Sequence, residues 1–392
     1  CQYSRTPAPS ASRRREEMAK KRRSEVEVEA EAEEENGRFC RSQAEHRSIT
    51  NGDGNGSEKT KTKKKKQKKT QELADKENGK AESEQIVPTV TIAIPASIID
   101  NAQSLELATR LAGQIARAAT IYRVNEIVVF DNNGNSVEDP SASTIGNTEE
   151  NESSAAFFIR ILRYLETPQY LRKTLFPRHN SLRFVGLLPP LDAPHHLRKH
   201  EWGSYREGVT VRERPPNSVG TLVDVGLSKN VVIDQVLGPG IRVTVVMGTD
   251  RNWSSGVLHQ IVPSTRPQEE GVYWGYKVRY APNLSSVIEN CPFEGGYYDH
   301  VIGTSEHGQV VKSSELSIPA FRHLLIAFGG LAGLEESIEE DGKLKGKDAR
   351  AVFHSYLNIC PHQGSRTIRT EEAVFISLQY FQEPIFRALQ KG

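Results

Sequence analysis

The sequence predicts an α/β protein with a mostly parallel sheet, a small antiparallel β-barrel inserted into it, and a charged N-terminal tail. Three observations carry this. An apolar run, an amphipathic stretch and a second apolar run follow one another between Val87 and Phe130. Short alternating runs broken by Gly, Pro and Asn fill His196 to Pro292. Before Ile86 the only Phe, Tyr or Trp residues are Tyr3 and Phe39, set among blocks of like charge.

The tail, residues 1–85, alternates Arg13 to Arg15, Lys20 to Arg23, the acidic run Glu25 to Glu35, and eight lysines between Lys59 and Lys69. Such a composition buries too little apolar area to offset its ordering entropy, so disorder is expected. It holds 21 Lys and Arg against 17 Asp and Glu, whereas the rest of the chain has 30 against 33, so the basic excess lies in the tail. The lysine run reads as a nuclear or nucleolar address, a phosphate-binding arm, or a plain solubilising segment. Four cysteines, Cys1, Cys40, Cys291 and Cys360, form no C-x-x-C pair, which points away from a disulfide framework or zinc cluster and towards a reducing compartment. No apolar run approaches the roughly 20 residues that cross a bilayer. A start at Cys1 instead of Met is expected of a chain whose true N-terminus is missing.

Val87 to Ile94 is a run rich in apolar and β-branched residues, as in a strand buried on both faces. From Ser104 to Tyr122, Leu107, Leu111, Ile115 and Ala118 recur at helical spacing, with Arg110, Gln114 and Arg117 opposite. Glu126 to Phe130 is a second buried strand, and the order strand, helix, strand implies a parallel pair. The polar stretch 132–154 reads as a surface insertion. A helix is expected from Ala155, pausing before Pro168 and resuming to Phe176, with a basic face of Arg160, Arg163, Arg172 and Lys173. Leu182 to Leu188 is expected as a third strand closed by Pro189 and Pro190.

The barrel strands are placed at Gly208 to Glu213, Gly220 to Val225, Asn230 to Gln235, Ile241 to Val246 and Val272 to Tyr280, an OB-like arrangement. His300 to Gly303, Leu324 to Phe328 and Tyr356 to Ile359 then resume the first sheet. The domain boundaries that follow are 1–85, 86–195, 196–295 and 296–392. The last helix, Thr370 to about Gln382, is apolar on nearly every side and should stop before Pro384. A terminal helix of that kind needs a cover.

Ligands of parallel sheets sit beyond the carboxyl ends of the strands. Three such ends carry suitable loops: Gly303-Thr304-Ser305, Gly329-Gly330-Leu331-Ala332-Gly333, and Cys360 to Thr367. The glycine spacing is neither a dinucleotide fingerprint nor a P-loop, and no acidic ribose-binding residue follows it, which argues against an oxidoreductase. His195, His196 and His200 lack carboxylate or cysteine partners at metal-ligand spacing, so no metal is expected. Cys360, with no histidine-cysteine constellation around it beyond His362, reads as a small buried hydrophobe, not a nucleophile.

The run Gln363-Gly364-Ser365-Arg366-Thr367-Ile368-Arg369-Thr370-Glu371-Glu372-Ala373 resembles the signature of bacterial ribosomal-RNA uridine-N3 methyltransferases, with Gly364, Arg366, Arg369, Thr370, Glu371 and Ala373 matching directly. Over residues 86–392 the chain is similar to the eukaryotic branch of the SPOUT (α/β-knot) superfamily. Ala327-Phe328 stands where the bacterial loop has Pro-Glu, and Ser365 where it has Pro. The resemblance implies S-adenosylmethionine as cofactor, held by Thr304, Gly329, Gly330, Asn358, Ile359, Cys360, Gln363, Gly364, Ser365 and Thr367. It implies a homodimer paired through the last helix, and RNA, expected to be ribosomal, as substrate.

For a uracil N3 that must shed its proton, Arg366 and Arg369 are candidates to stabilise the developing anion, with Glu371 as base or orienter. Helix-start electrostatics explain the last two equally well. Arg160, Arg163, Arg198, Lys199 and Arg206 are the candidate RNA contacts, beside the aromatic Trp202 and Tyr205. A noncatalytic RNA-binding or scaffold protein using the same fold is the alternative.

Overall fold

The computed structural model describes residues 87–132, 152–213, 215, 220–249 and 257–391 of the chain. The expected charged tail, its lysine run, and nearly all of the expected insertion lie outside them.

The first unit of structure is the predicted one. Strand β1 (Thr89–Pro95), helix α1 (Leu105–Ile121) and strand β2 (Glu126–Phe130) form a parallel crossover, in which Thr91 to Pro95 pair with Glu126 to Phe130. Ser104 caps α1 by accepting from the Leu107 amide. Helices α2 (Ser154–Glu166) and α3 (Gln169–Leu175) break at Pro168, as the sequence indicates.

Leu182 to Leu188 is not a strand. It forms two single turns of 3₁₀ helix, Asn180–Leu182 and Val185–Leu187. Leu182, Val185 and Leu188, three residues apart, are the side chains that pack on the core, and three residues per turn is the 3₁₀ period. Leu187, between them, stays exposed.

Strands β3 (Tyr205–Thr210), β4 (Thr221–Asp224), β5 (Val231–Ile233), β6 (Arg242–Val246), β7 (Leu258–His259) and β8 (Ile261–Val262) make the second sheet, in the order β7-β5-β4-β3-β6-β8. Only Gln260 separates β7 from β8, yet β7 pairs with β5 and β8 with β6. The two sheet edges are thus held by adjacent residues, and the sheet curls into a nearly closed barrel around Val223, Val225, Ile233 and Val245.

The run expected as the last barrel strand divides instead. After α4 (Arg266–Glu269), Tyr273, Trp274 and Tyr276 are buried outside any strand, and β9 (Lys277–Ala281) leaves for the first sheet, where it pairs in parallel with β2. Gly275 makes the change of direction at φ +82°, and a Cβ there would lie 2.6 Å from the Glu166 carboxylate.

The remaining elements are α5 (Leu284–Glu289), β10 (His300–Val310), β11 (His323–Ala327), α6 (Gly333–Glu340), α7 (Ala349–Val352), β12 (Ser355–Asn358) and α8 (Thr370–Leu389). They complete an all-parallel sheet of order β12-β10-β11-β1-β2-β9. Alternation along its strands sends Ile92, Ile94, Ile127 and Ile326 to one core, under α1, α2 and α8. Ala93, Val128, Phe130 and Leu325 go to the other, under α5, α6 and α7. The sheet is therefore the middle of three layers, which is why its strands read as continuous apolar runs.

Helix α8 does not stop before Pro384 but continues through it to Leu389. Proline removes the amide that would have bonded the Tyr380 carbonyl. Ser313 Oγ donates to that carbonyl at 2.6 Å, and Arg387 ties the far half down by donating to the carbonyls of Ser313, Ser314 and Leu316. Replacing Ser313 by Ala leaves the carbonyl without its donor and should cost about 1 kcal/mol of stability, measured by urea unfolding.

Candidate active site

The carboxyl ends of β10, β11 and β12 meet beside the start of α8. They enclose an open cavity of about 240 Å³. β10 contributes by breaking its own ladder. Thr304 and Gln309 both pair with Leu357, so Ser305 to Gly308 bulge out of the strand. Gly308 lies so close to β12 that a Cβ would sit 2.3 Å from the Leu357 carbonyl carbon. From β11 the chain passes through Phe328, Gly329 and Gly330 into a tight turn to α6. A Cβ on Gly329 would lie 2.4 Å from backbone atoms of Gly333 and Leu334. From β12 come Asn358, Ile359 and Cys360, where the Asn358 side chain accepts from the Cys360 amide and donates to the Glu306 carbonyl. Thr370 closes the set, its hydroxyl donating to the Gly329 carbonyl at 3.0 Å.

Of the ten residues expected to hold a cofactor, Thr304, Gly329, Gly330, Asn358, Ile359, Cys360, Gln363 and Thr367 line this cavity. Gly364 and Ser365 are exposed and lie outside the lining, and Gln363 reaches back to the Ser365 carbonyl. Arg366, Arg369 and Glu371 do not line it either. Arg369 is exposed, with its amide on the Glu372 carboxylate, and its guanidinium stands 3.9 Å from the buried Glu371, a pair suited to a helix N-terminus.

The cavity also holds Ser305, from the first of the strand-end loops, and three residues that the sequence did not single out, His307, Glu335 and Ser377. Burial by itself would raise the Glu335 carboxyl, but hydrogen bonds from Tyr356, His307 and Ser305 hold it below the usual carboxylate range. The same carboxylate raises the His307 imidazole, while burial and that bond raise the Tyr356 hydroxyl. Ser377 is fully buried in α8, and its hydroxyl has no hydrogen-bond partner. These four sit on three separate elements with no shared spacing. Only the Ser305 signal was legible, as part of a strand-end loop.

The expected RNA contacts are scattered. Arg198 and Lys199 are exposed, Arg160 pairs with Glu152 at 2.8 Å, and Arg163 donates to the Val278 carbonyl. Arg206 is 1% exposed and donates to the carbonyls of Val225, Glu201, Leu197 and Arg198, so it pins the 197–201 segment to the barrel instead of presenting charge. Tyr273, Trp274 and Tyr276 are core residues with their polar ends on Val124, Glu207 and Leu162. Among the described residues no group of three or more His, Cys, Asp or Glu is placed to hold a metal, and no helix is long and apolar enough to cross a membrane.

Residues 89–381 match the family described as "Putative RNA methyltransferase". A Homo sapiens protein named 28S rRNA (uridine-N(3))-methyltransferase is 47% identical over 302 residues, which are 76% of this chain and 79% of that one. The protein of the same name from Mus musculus is 47% identical over 299 residues, 75% of this chain and 76% of its own. That of Drosophila melanogaster is 43% identical over 328 residues, 80% and 67% of the two chains. Since the matched segment takes in both sheets and every residue that lines the cavity, the chain belongs to this family of RNA methyltransferases.

Proposed function

We propose that this protein transfers a methyl group from S-adenosylmethionine to N3 of a uridine in large-subunit ribosomal RNA. The observation that carries the reading is the convergence of three parallel strand ends and the start of α8 on one cavity. Eight of the ten residues that the family resemblance implies as cofactor contacts line that cavity. The names of the mammalian and insect relatives supply the base and the atom.

The lining fits the cofactor. Phe328, Ile359 and Ile368 offer apolar walls, closely spaced backbone at Gly329 and Gly330 offers peptide edges, and the unpartnered Ser377 hydroxyl is a buried group that a bound polar ligand would satisfy. When bound, the cofactor supplies a methyl on a sulfonium, which needs little covalent assistance. The chain's own work is to hold the base in line, keep water out and accept the N3 proton. Exposed Arg366 and Arg369, on the loop bordering the cavity, are placed to meet the negative charge of the RNA or of the developing anion. Nothing at the site favours a noncatalytic scaffold.

The same reading extends to the assembly. We take the passage from β12 through 359–369 into α8 as the knotted segment, and the barrel as an OB-like platform presenting RNA to the cavity, with Arg160, Arg163, Arg198 and Lys199 as phosphate contacts. α1 packs against α8, and Leu105 and Leu107 of the one and Phe386 and Leu389 of the other are exposed, which supports pairing of two copies through these helices. The lysine run supports a nuclear, nucleolar address.

Calorimetry with S-adenosylmethionine tests the cofactor, and the absence of binding at millimolar ligand would overturn it. Nucleoside mass spectrometry of ribosomal RNA from cells lacking the protein tests the acceptor. Loss of the N3-methyluridine signal is expected, and an unchanged signal excludes that base.

A further inference from the structure

One carboxylate oxygen on the cavity wall collects three donors. Glu335 Oε1 accepts Tyr356 Oη at 2.5 Å and Ser305 Oγ at 3.0 Å, and stands 3.0 Å from His307 Nδ1. Glu335 lies in the first turn of α6, where the helix dipole favours its ionised form. An ionised carboxylate only accepts, so the shared hydrogen sits on His307 Nδ1 and leaves Nε2 with its lone pair. His307 is carried out of β10 by the bulge at 305–308, and its side chain is 72% exposed while lining the cavity. A carboxylate fixing one imidazole nitrogen and leaving the other open to a reacting group is the arrangement of a general base.

We infer that His307 is the general base that takes the N3 proton of the acceptor uridine, with Glu335 as the positioning residue that sets its tautomer and orientation. This rests on the uridine-N3 reading of the same cavity. In the step, the N3–H bond breaks and its proton passes to His307 Nε2. The nitrogen electron pair forms the bond to the methyl carbon, and the bond from that carbon to sulfur breaks with its electrons returning to sulfur. The imidazolium then gives its proton to solvent. Ser305 and Tyr356 hold the Glu335 carboxylate in place. The groups facing the imidazole are Glu335 from α6 and Glu306 from its own strand, the latter 3.8 Å from Nε2, with Tyr356 of β12 acting through Glu335.

The test uses the full-length protein, S-adenosylmethionine and an unmodified transcript of 28S ribosomal RNA. His307→Gln should lower kcat by about 10²- to 10⁴-fold, the usual worth of a positioned base, a far larger change than any in cofactor affinity by calorimetry. Imidazole added to His307→Ala should restore part of the rate. Glu335→Gln should move the acid limb of the kcat profile to lower pH, because the carboxylate raises the imidazole above its ordinary value of about 6.5. NMR titration of the unliganded protein should show the same downward move of the His307 signal, independently of turnover. An unchanged kcat in His307→Gln, or an unmoved His307 titration in Glu335→Gln, would overturn the inference. If the wild-type protein methylates the transcript at another atom, the N3 reading fails by itself, and the His307→Gln rate still decides whether a base is used.

Discussion

Gly329→Ala should weaken S-adenosylmethionine binding by roughly 100-fold, the equivalent of about 2–3 kcal/mol of overpacking at one position. The reason is backbone crowding. Any Cβ at 329 meets Gly333 and Leu334 main-chain atoms at 2.4 Å, and main chain, unlike a side-chain tip, cannot swing aside. The turn 330–333 must move, and it carries Gly330, Leu331, Ala332 and Gly333 of the cavity lining. The Gly329 carbonyl would also leave the Thr370 hydroxyl, detaching the turn from the head of α8. Gly364→Ala is the contrast, because a Cβ there meets nothing within 4 Å and the residue is outside the cavity. Its affinity should stay at the wild-type level. The motif alone would rank Gly364 above Gly329. Equal losses in the two variants, measured by calorimetry, would show that the C-terminal loop and not the Gly329 turn shapes the binding site.

That contrast marks how far the sequence could be read. Buried parallel strands such as Thr89–Pro95 and His323–Ala327 announce themselves because both faces are apolar and the signal is local. The amphipathic helix at Leu105–Ile121 does so for the same reason. Legibility fails where a local pattern serves two periods. Leu182 to Leu188 fits a strand as a string of apolar residues, but only its every third side chain is needed in the core. It fails too where a partner distant in sequence reverses a local rule. Pro384 ends a helix unless another segment supplies a donor to Tyr380, and Ser313, 67 residues earlier, does so. At the site, glycine loops and the terminal motif were legible because close backbone approach demands particular residues. Glu335 and His307 were not, since their relation comes from a bulge in one strand meeting the first turn of a helix 28 residues later. Arg206 misled for the opposite reason, because a guanidinium that serves backbone carbonyls has the same composition as one that serves phosphate.

Arg242→Met should reduce the unfolding free energy by about 3–5 kcal/mol, the cost of leaving a buried charge without its partner. The guanidinium grips both oxygens of Glu166, at 2.6 and 3.0 Å, and reaches Glu207 through Nε at 2.6 Å. Glu207 is completed by Thr244 and Trp274, and Glu166 by His195 at 3.0 Å. Glu166 ends α2 while Glu207 and Arg242 belong to β3 and β6, so one cation joins the barrel to the helical layer of the parallel sheet. Methionine fills the volume but leaves two neighbouring carboxylates buried. The pH dependence carries the sign. In the wild-type protein burial would raise the Glu166 carboxyl, yet Arg242 and then His195 hold it far below its ordinary 4.5. Its contribution is therefore complete above that value and is lost only on acidification below it. Without Arg242 only His195 is left to oppose the burial cost, so the Glu166 carboxyl rises from its depressed position. Protonation then relieves the variant as pH falls, and the stability gap is widest at neutral pH and narrows on acidification. Urea unfolding at several pH values reads both effects. A loss below about 1 kcal/mol with no narrowing is the behaviour of a solvent-screened surface pair, and would show that the barrel is fastened by its apolar contacts instead.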